Sequence, residues 1–189
     1  MKTLRLLSLA TVLAFVFAGC SGPTGPQGPA GANGANGANG NANVVSYLYN
    51  VSTGAWTYDN VALNWYVHLT PVAALTSGFI NAGGVVSVFF SANSGTSWNA
   101  LPYTEVVGAS ITASWSINMT TDLVQVNYAY SDQAMHNDPC TEYGASPLQF
   151  SVTCIAAGIV KKHPSTNWSN YYEVQKVVNE ENGMKVINQ

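Results

Sequence analysis

Apolar and polar residues alternate along most of the chain from Val44 to Cys154, and this period of two constrains the fold more than any other feature. A β-strand turns successive side chains to opposite faces of a sheet, so alternation predicts strands with one buried and one exposed face. The clearest segments are VVSYLYNV from 44, ALNWYVHL from 62, SITASWSI from 110, LVQVNYAY from 123 and LQFSVTC from 148. GVVSVFF from Gly84 is apolar on both faces, which predicts a central strand.

Short alternating segments separated by turn sequences predict an all-β fold, an antiparallel β-sandwich. Two such turns are SANSG at 91–95 and NMTTD at 118–122. About 145 residues follow position 43, which is enough for one domain with its own core, so we expect the sandwich to span residues 44–189.

One short helix is expected near the C-terminus, packed on the sandwich. Asn170 is a favourable N-cap, with Glu173 three residues later, and Gly183 can end the segment. The apolar residues on one face of this helix are Tyr171, Val174, Val177 and Val178. The final residues, MKVINQ, either fray or add an edge strand.

The first 20 residues, MKTLRLLSLATVLAFVFAGC, have the pattern of a secretory signal peptide. Two basic residues precede an apolar run of roughly 12 residues, which is shorter than the roughly 20 that a transmembrane helix needs. The ending FAGC is similar to the lipobox of bacterial lipoproteins, although Phe17 stands where that motif has an aliphatic residue. The resemblance implies a signal peptide at 1–19 and lipidation of Cys20; an ordinary signal peptide with a chance cysteine is the alternative.

Ser21 follows the cysteine where lipoproteins retained at the inner membrane carry Asp. The lipoprotein resemblance therefore implies an outer membrane lipoprotein of the cell envelope. Either the periplasmic or the surface-facing orientation is compatible with this sequence.

Glycine occupies every third position of the seven triplets GPT, GPQ, GPA, GAN, GAN, GAN and GNA, from Gly22 to Ala42. This is the phase of collagen, because only glycine fits at the axis of a triple helix. Proline is confined to the first three triplets, so this Gly-X-Y run lacks the residues that favour a triple helix. We expect residues 20–43 to form an irregular monomeric tether, about 65 Å long if extended and about 25 Å as a coil. A trimer held together by the C-terminal domain is the alternative.

Basic residues of the mature chain all lie beyond position 160, so residues 44–160 contain no Lys or Arg. Nucleic acids and anionic lipid headgroups are bound through basic side chains, so neither is an expected partner of this segment. The expected partners are the membrane, through the lipidated N-terminus, and a glycan or protein of the envelope or extracellular space.

Two cysteines remain once Cys20 is assigned to lipid. In an oxidising compartment we expect Cys140 and Cys154 to form a disulfide. It would close a loop of about 15 residues and contribute on the order of 3 kcal/mol. The alternative is a buried Cys154 on a strand and an unrelated loop cysteine.

The loop SDQAMHNDPCTEYG at 131–144 concentrates oxygen and imidazole ligands for a divalent cation. The candidate ligands are Asp132, His136, Asp138 and Glu142. Their spacing matches no EF-hand or zinc motif, and a solvated acidic loop explains it as well, so a metal-dependent enzyme is only the third hypothesis.

No hydrolase, zinc-protease, Walker or C-x-x-C pattern occurs, so no catalytic residue is assigned and no enzyme or cofactor is expected.

SANSGTSW at 91–98 is similar to the Asp-box of bacterial neuraminidases, with Asn93 in place of Asp and Ser97 in place of Thr. The resemblance implies a hairpin turn whose side chains bond the loop backbone, with Trp98 packed beneath it. A single copy and the absence of arginine from the β-domain argue against a neuraminidase.

Exposed aromatic rings could stack on sugar faces, which makes a non-catalytic glycan-binding module the second hypothesis. Trp65 and Trp115 fall on inward strand positions. The candidate glycan contacts are therefore Trp56 and Trp168, with tyrosines such as Tyr66, Tyr171 and Tyr172.

Several stretches together resemble bacterial collagen-like lipoproteins, which join a short Gly-X-Y run to a small β-domain. They are FAGC, the triplets ending in GNANV, WNALPY from 98 and HPSTNWSNYYEVQKVV from 163. The resemblance implies this architecture and an envelope location but no activity. The sequence predicts a lipid-anchored envelope protein that displays a β-sandwich on a Gly-rich spacer, in a structural or adhesive role without catalysis.

Overall fold

A computed structural model describes residues 44–181 and the backbone of residues 187–188. The predicted signal peptide at 1–19, the lipidated Cys20, the tether at 20–43 and the helix end at Gly183 all lie outside the described residues. The described residues belong to one compact unit.

Strands account for most of the described secondary structure. They are β1 (Val44–Val51), β2 (Thr57–Asp59), β3 (Asn64–Val72), β4 (Val85–Ser91), β5 (Asn99–Ala100), β6 (Tyr103–Val106), β7 (Thr112–Thr120), β8 (Asp122–Tyr130), β9 (Leu148–Ile155) and β10 (Ile187–Asn188). The helices are a 3₁₀ turn (Thr53–Ala55), α1 (Ser77–Asn81), α2 (Pro139–Glu142), α3 (Ala157–Lys162) and α4 (Tyr171–Glu180).

The strands form two sheets, and the predicted β-sandwich is confirmed. The first sheet has the strand order β10-β1-β9-β4-β5, and the second has the order β2-β3-β8-β7-β6. All pairings of the described strands are antiparallel except the parallel pairing of β10 with β1, so part of the MKVINQ segment adds an edge strand.

The core between the sheets is built from the inward positions that alternation predicts. Trp115 of β7 is 1% exposed and lies at its centre. The ring of Phe90 stacks on Trp115 at a centroid distance of 4.6 Å, and the ring of Tyr128 lies 4.5 Å from it. Phe150 and Trp56 approach the same indole at 6.0 Å. These aromatic contacts join strands of both sheets and fix the sheets against each other.

A second core lies on the outer face of the first sheet, beneath the helices. Phe89 and Phe90 are neighbours on β4 and therefore point to opposite faces, yet both are fully buried. The residues buried in this second core are Val44, Phe89, Ile155, Ile159, Val174, Val177 and Val178. The first sheet is therefore covered on both faces, by the second sheet on one side and by α3 and α4 on the other.

Helix α4 confirms the predicted C-terminal helix and its cap. Asn170 Oδ1 accepts hydrogen bonds from the backbone N–H groups of Tyr172 and Glu173, at 3.0 and 3.2 Å. Glu173 does not close a capping box on Asn170, because its carboxylate accepts instead from the N–H of Asn167 at 2.7 Å. Among the residues that the structure describes, no helix has both the length and the apolar composition that would let it cross a bilayer.

Three short helices were not expected from the sequence. In α1, Thr76 caps the N-terminus by accepting a hydrogen bond from Phe79 N at 3.1 Å, and the Phe79 ring packs on Gly84 where a Cβ atom would overlap it. Helix α2 begins at Pro139 after its N-cap Asp138. Segments of four to six residues are too short for a helical hydrophobic period to distinguish them from loops.

The buried hydroxyls and thiol make the fold sensitive to alkali. Burial raises the pKa of the phenols of Tyr47, Tyr49, Tyr128, Tyr130, Tyr143 and Tyr171, and it raises the pKa of the Cys154 thiol to about 12. In the unfolded chain these groups ionise near pH 9 to 10, so above that range the unfolded state binds fewer protons than the folded one. The stability that they contribute is complete below about pH 9 and is lost as the pH rises.

We therefore predict that the free energy of unfolding falls steeply above about pH 10, by up to about 1.4 kcal/mol per pH unit for each such group. Urea titrations at increasing pH measure this slope. Tyr128→Phe should make the slope shallower, because the Tyr128 hydroxyl is buried and makes no hydrogen bond within the described residues. Tyr172→Phe is the control, since Tyr172 is exposed. A flat profile up to about pH 11 would contradict the burial of these phenols.

Candidate binding surface

The outer face of the second sheet carries polar side chains across its three longest strands. Because β3, β8 and β7 turn their apolar residues inward, the alternate positions point away from the core. The strand register aligns these positions in two rows. Tyr66, Asn127 and Ser116 form one row, and His68, Gln125 and Asn118 form the next. We call these six residues the outer polar surface.

A chain of side-chain hydrogen bonds crosses the outer polar surface. His68 Nε2 lies 3.1 Å from Gln125 Oε1, and the imidazole is the donor because an amide oxygen only accepts. Gln125 Nε2 then donates to Asn127 Oδ1 at 2.7 Å. Asn127 is 5% exposed, but its Nδ2 atom is not one of the buried side-chain atoms that lack a hydrogen-bond partner among the described residues. The chain of hydrogen bonds therefore ends in an amide whose oxygen is held by Gln125.

Tyr66 adds an aromatic ring to this surface. Its ring centroid lies 5.3 Å from that of His68, with the two planes tilted by 42°. Tyr66 is half-buried, whereas His68, Ser116 and Asn118 are exposed. The surface thus combines amides, a hydroxyl and two adjacent rings, all on one sheet face.

None of these six residues is Asp, Glu, Lys or Arg. Three acidic residues lie on strands of the same sheet: Asp59 ends β2, Glu105 lies on β6, and Asp122 begins β8. The backbone N–H groups of Ala62 and Val61 donate to Asp59 and hold the pKa of its carboxyl below the usual range. Asp59 therefore closes its own turn, and the outer polar surface carries no Asp, Glu, Lys or Arg.

The four candidate metal ligands of the 131–144 loop do not converge. His136 Nε2 and Asp132 Oδ2 lie 2.8 Å apart, and the hydrogen bond from His136 holds the pKa of Asp132 below its usual range. Asp138 instead caps α2, accepting from Cys140 N at 3.0 Å, and Glu142 accepts from the Tyr130 hydroxyl at 3.2 Å. Within residues 44–181, no group of three or more His, Cys, Asp or Glu side chains is placed to hold a metal ion.

Cys140 and Cys154 are both buried and free, so the predicted disulfide is not formed in this structure. Cys140 Sγ donates to the carbonyl oxygen of Val51 at 3.2 Å, and Val51 pairs with Leu148 at the start of β9. Cys154 lies six residues further along β9, which is about 20 Å of extended strand. A disulfide requires Cα atoms within about 7 Å, so the arrangement is that of a buried strand cysteine and an unrelated loop cysteine.

Of the two candidate glycan contacts, Trp56 was predicted to be exposed, and this prediction is wrong. It is 6% exposed and packs in the core against Trp115 and Phe150. Its ring offers no face to an external sugar. Trp168 is half-buried against the second core, and its carbonyl oxygen accepts a hydrogen bond from Ser87 Oγ at 2.8 Å.

The SANSGTSW turn has the structure that the Asp-box resemblance implies. Asn93 Oδ1 accepts from Ser97 N, and Ser91 Oγ accepts from Gly95 N, each at 2.9 Å. Trp98 lies beneath the turn, where its Nε1 donates to Gly95 O at 3.0 Å and its ring stacks on Tyr171 of α4. The motif therefore acts as a structural link between the first sheet and the helical layer.

A cleft of about 280 Å³ lies beside α4, on the helical side of the first sheet. It is lined by His163, Ser165, Thr166, Glu173, Lys176, Val177 and Glu180. Two of its side chains contact acidic residues of the same layer: His163 Nε2 lies 3.0 Å from Glu181 Oε1, and Lys176 Nζ lies 3.9 Å from Glu180 Oε1. These contacts join residues of the helical layer to one another.

Comparison with known proteins found no matching family model, no matching curated protein and no matching solved structure. The candidate site therefore depends on its own geometry. Of these six residues, sequence reasoning named only Tyr66, as a candidate glycan contact, and missed Gln125 and Asn127. The signal that could have found them is the alternation of β8, whose outward positions hold these two amides.

We predict that both sulfurs remain thiols in the folded protein. In a Cys20→Ser chain, alkylation in denaturant without reductant should add two labels, and native alkylation should add none because both thiols are buried. Intact mass measures the number of labels. Prior reduction is the control and should leave the count at two; a count that rises from zero to two on reduction would show that the disulfide exists.

Proposed function

We propose that this chain is a lipid-anchored cell-envelope protein that presents a β-sandwich on a Gly-rich spacer, in a structural or adhesive role without catalysis. The observation that carries the proposal is the asymmetry of the sandwich. Helices cover the outer face of the first sheet, whereas the outer face of the second sheet exposes a polar, hydrogen-bonding surface. A module built to adhere needs such an accessible face.

The N-terminal sequence supports the anchor. A basic start, a short apolar run and the FAGC ending place Cys20 where bacterial lipoproteins carry their lipid. Two or more acyl chains hold a protein stably at a membrane, whereas one chain binds only marginally.

The Gly-rich run supports the role of a spacer. Residues 22–42 can separate the sandwich from the bilayer by about 25 Å as a coil and by about 65 Å when extended. A monomeric tether of this length lets the outer polar surface reach partners beyond the lipid headgroups.

The sandwich itself gives no reason for membrane attachment. The segment 44–160 contains no Lys or Arg, so it has no basic residues to bind anionic lipid. We therefore attribute membrane retention to the lipidated N-terminus, so a substitution at Cys20 should remove the anchor without changing the sandwich.

We predict that the Cys20→Ser chain loses membrane retention while keeping its fold. The wild-type protein should incorporate labelled fatty acid and sediment with membranes, because acyl chains on Cys20 supply the binding free energy. The substituted chain should do neither. Ser21→Ala is the matched control and should behave as wild type in labelling and sedimentation. Fatty-acid incorporation that persists in the Cys20→Ser chain would refute lipidation at this cysteine.

A further inference from the structure

We propose that the outer polar surface binds a neutral oligosaccharide. This inference rests on the proposed function, since it names the class of ligand for the face that the sandwich presents. The binding residues are the six of the outer polar surface, centred on the row of Tyr66, Asn127 and Ser116 and on His68 and Gln125 of the next row.

The ordering of the two amides is the first argument. The hydrogen bond between His68 and Gln125 and the one from Gln125 to Asn127 hold both amide groups in place. A ligand that binds side chains already held in place loses less conformational entropy than one that must order them. The amides of Gln125 and Asn127 are therefore suited to hydrogen bonding with an external ligand.

The matching chemistry is the second argument. Each sugar hydroxyl both donates and accepts, as do the side chains of Asn, Gln and Ser. Gln125 and Asn127 present amides side by side on β8, and Ser116 presents a hydroxyl on the neighbouring strand. Strands lie about 4.8 Å apart and successive outward residues about 7 Å apart, so one oligosaccharide can meet several of these groups at once.

The paired rings are the third argument. A sugar ring has a face of C–H groups, and an aromatic face accepts such a surface more readily than water does. Tyr66 and His68 place two rings 5.3 Å apart beside the amides. An apolar contact surface next to hydrogen-bonding groups suits a ligand that is polar at its edges and less polar on its faces.

Charge decides against other occupants. The outer polar surface has no Asp, Glu, Lys or Arg, so a charged polysaccharide or a nucleic acid would find no permanently charged partner there. The buried core of a protein interface is usually rich in apolar side chains. The exposed large apolar side chains of the described residues are Val61, Ile80, Val106, Met119, Met135 and Tyr172, and none belongs to the outer polar surface.

The test measures binding of the full chain, purified in detergent, by calorimetric titration with defined hexasaccharides. The neutral probes are hexamers of glucose, mannose and N-acetylglucosamine, and the charged probe is a hexamer of galacturonate. The variants are Tyr66→Ala and Gln125→Ala. Their matched controls are Tyr172→Ala on α4 and Gln149→Ala on the first sheet, and thermal melting checks that each variant is folded.

Saturable binding of at least one neutral probe is expected, weakened at least tenfold in both Tyr66→Ala and Gln125→Ala and unchanged in the two controls. The galacturonate hexamer should bind at least tenfold more weakly than that probe. Absence of neutral binding, preference for the charged probe, or loss of binding in the controls but not in folded Tyr66→Ala would each overturn the inference.

The anchoring proposal and the glycan proposal can be refuted independently of each other. Sugar binding is measured on purified protein and does not depend on where the chain resides, whereas membrane retention through Cys20 does not depend on sugar. Retention without neutral sugar binding removes only the inference of a glycan ligand. Sugar binding without Cys20-dependent retention removes only the anchored role.

Discussion

The burial of the first sheet on both faces is the constraint on which the rest of the structure depends. Phe89 and Phe90 follow one another on β4, point in opposite directions and are both fully buried. Each such ring contributes about 1.5–3 kcal/mol when it leaves water, a large share of a typical domain stability of about 5–15 kcal/mol. The chain must therefore supply two covering layers, and it uses the second sheet for one and α3 with α4 for the other.

This use of the helices leaves the second sheet with a free face. Its outward positions are amides, hydroxyls, one phenol and one imidazole, so the face can be hydrated without a cover. The hydrogen bonds from His68 through Gln125 to Asn127 give it a fixed arrangement. With ordered side chains and no Asp, Glu, Lys or Arg, this face is suited to recognition through hydrogen bonds, in keeping with the proposed anchor, spacer and ligand class.

The sandwich, its inward faces and the C-terminal helix could be predicted because alternation, helical period and the Asn170 cap are local signals. The errors arose where position depends on distant pairing. Trp56 sits in a turn sequence without a period, and only the fold shows that its ring enters the core. The separation of Cys140 from Cys154 follows from the register of β1 with β9, and the contact of His68 with Gln125 follows from that of β3 with β8. Neither of these two strand registers can be derived from the spacing of residues in the sequence.

Side-chain amide resonances test most directly whether the outer polar surface is the face that recognises a ligand. Nitrogen–proton correlation spectra of the isotope-labelled full chain in detergent should be recorded during titration with the neutral hexasaccharide that binds most tightly. If this face binds the sugar, the Gln125 and Asn127 side-chain amides will shift saturably, with the Gln149 amide and the Trp168 indole unchanged. Shifts confined to Trp168 and the helical layer, or no shifts at all, would contradict recognition through this face.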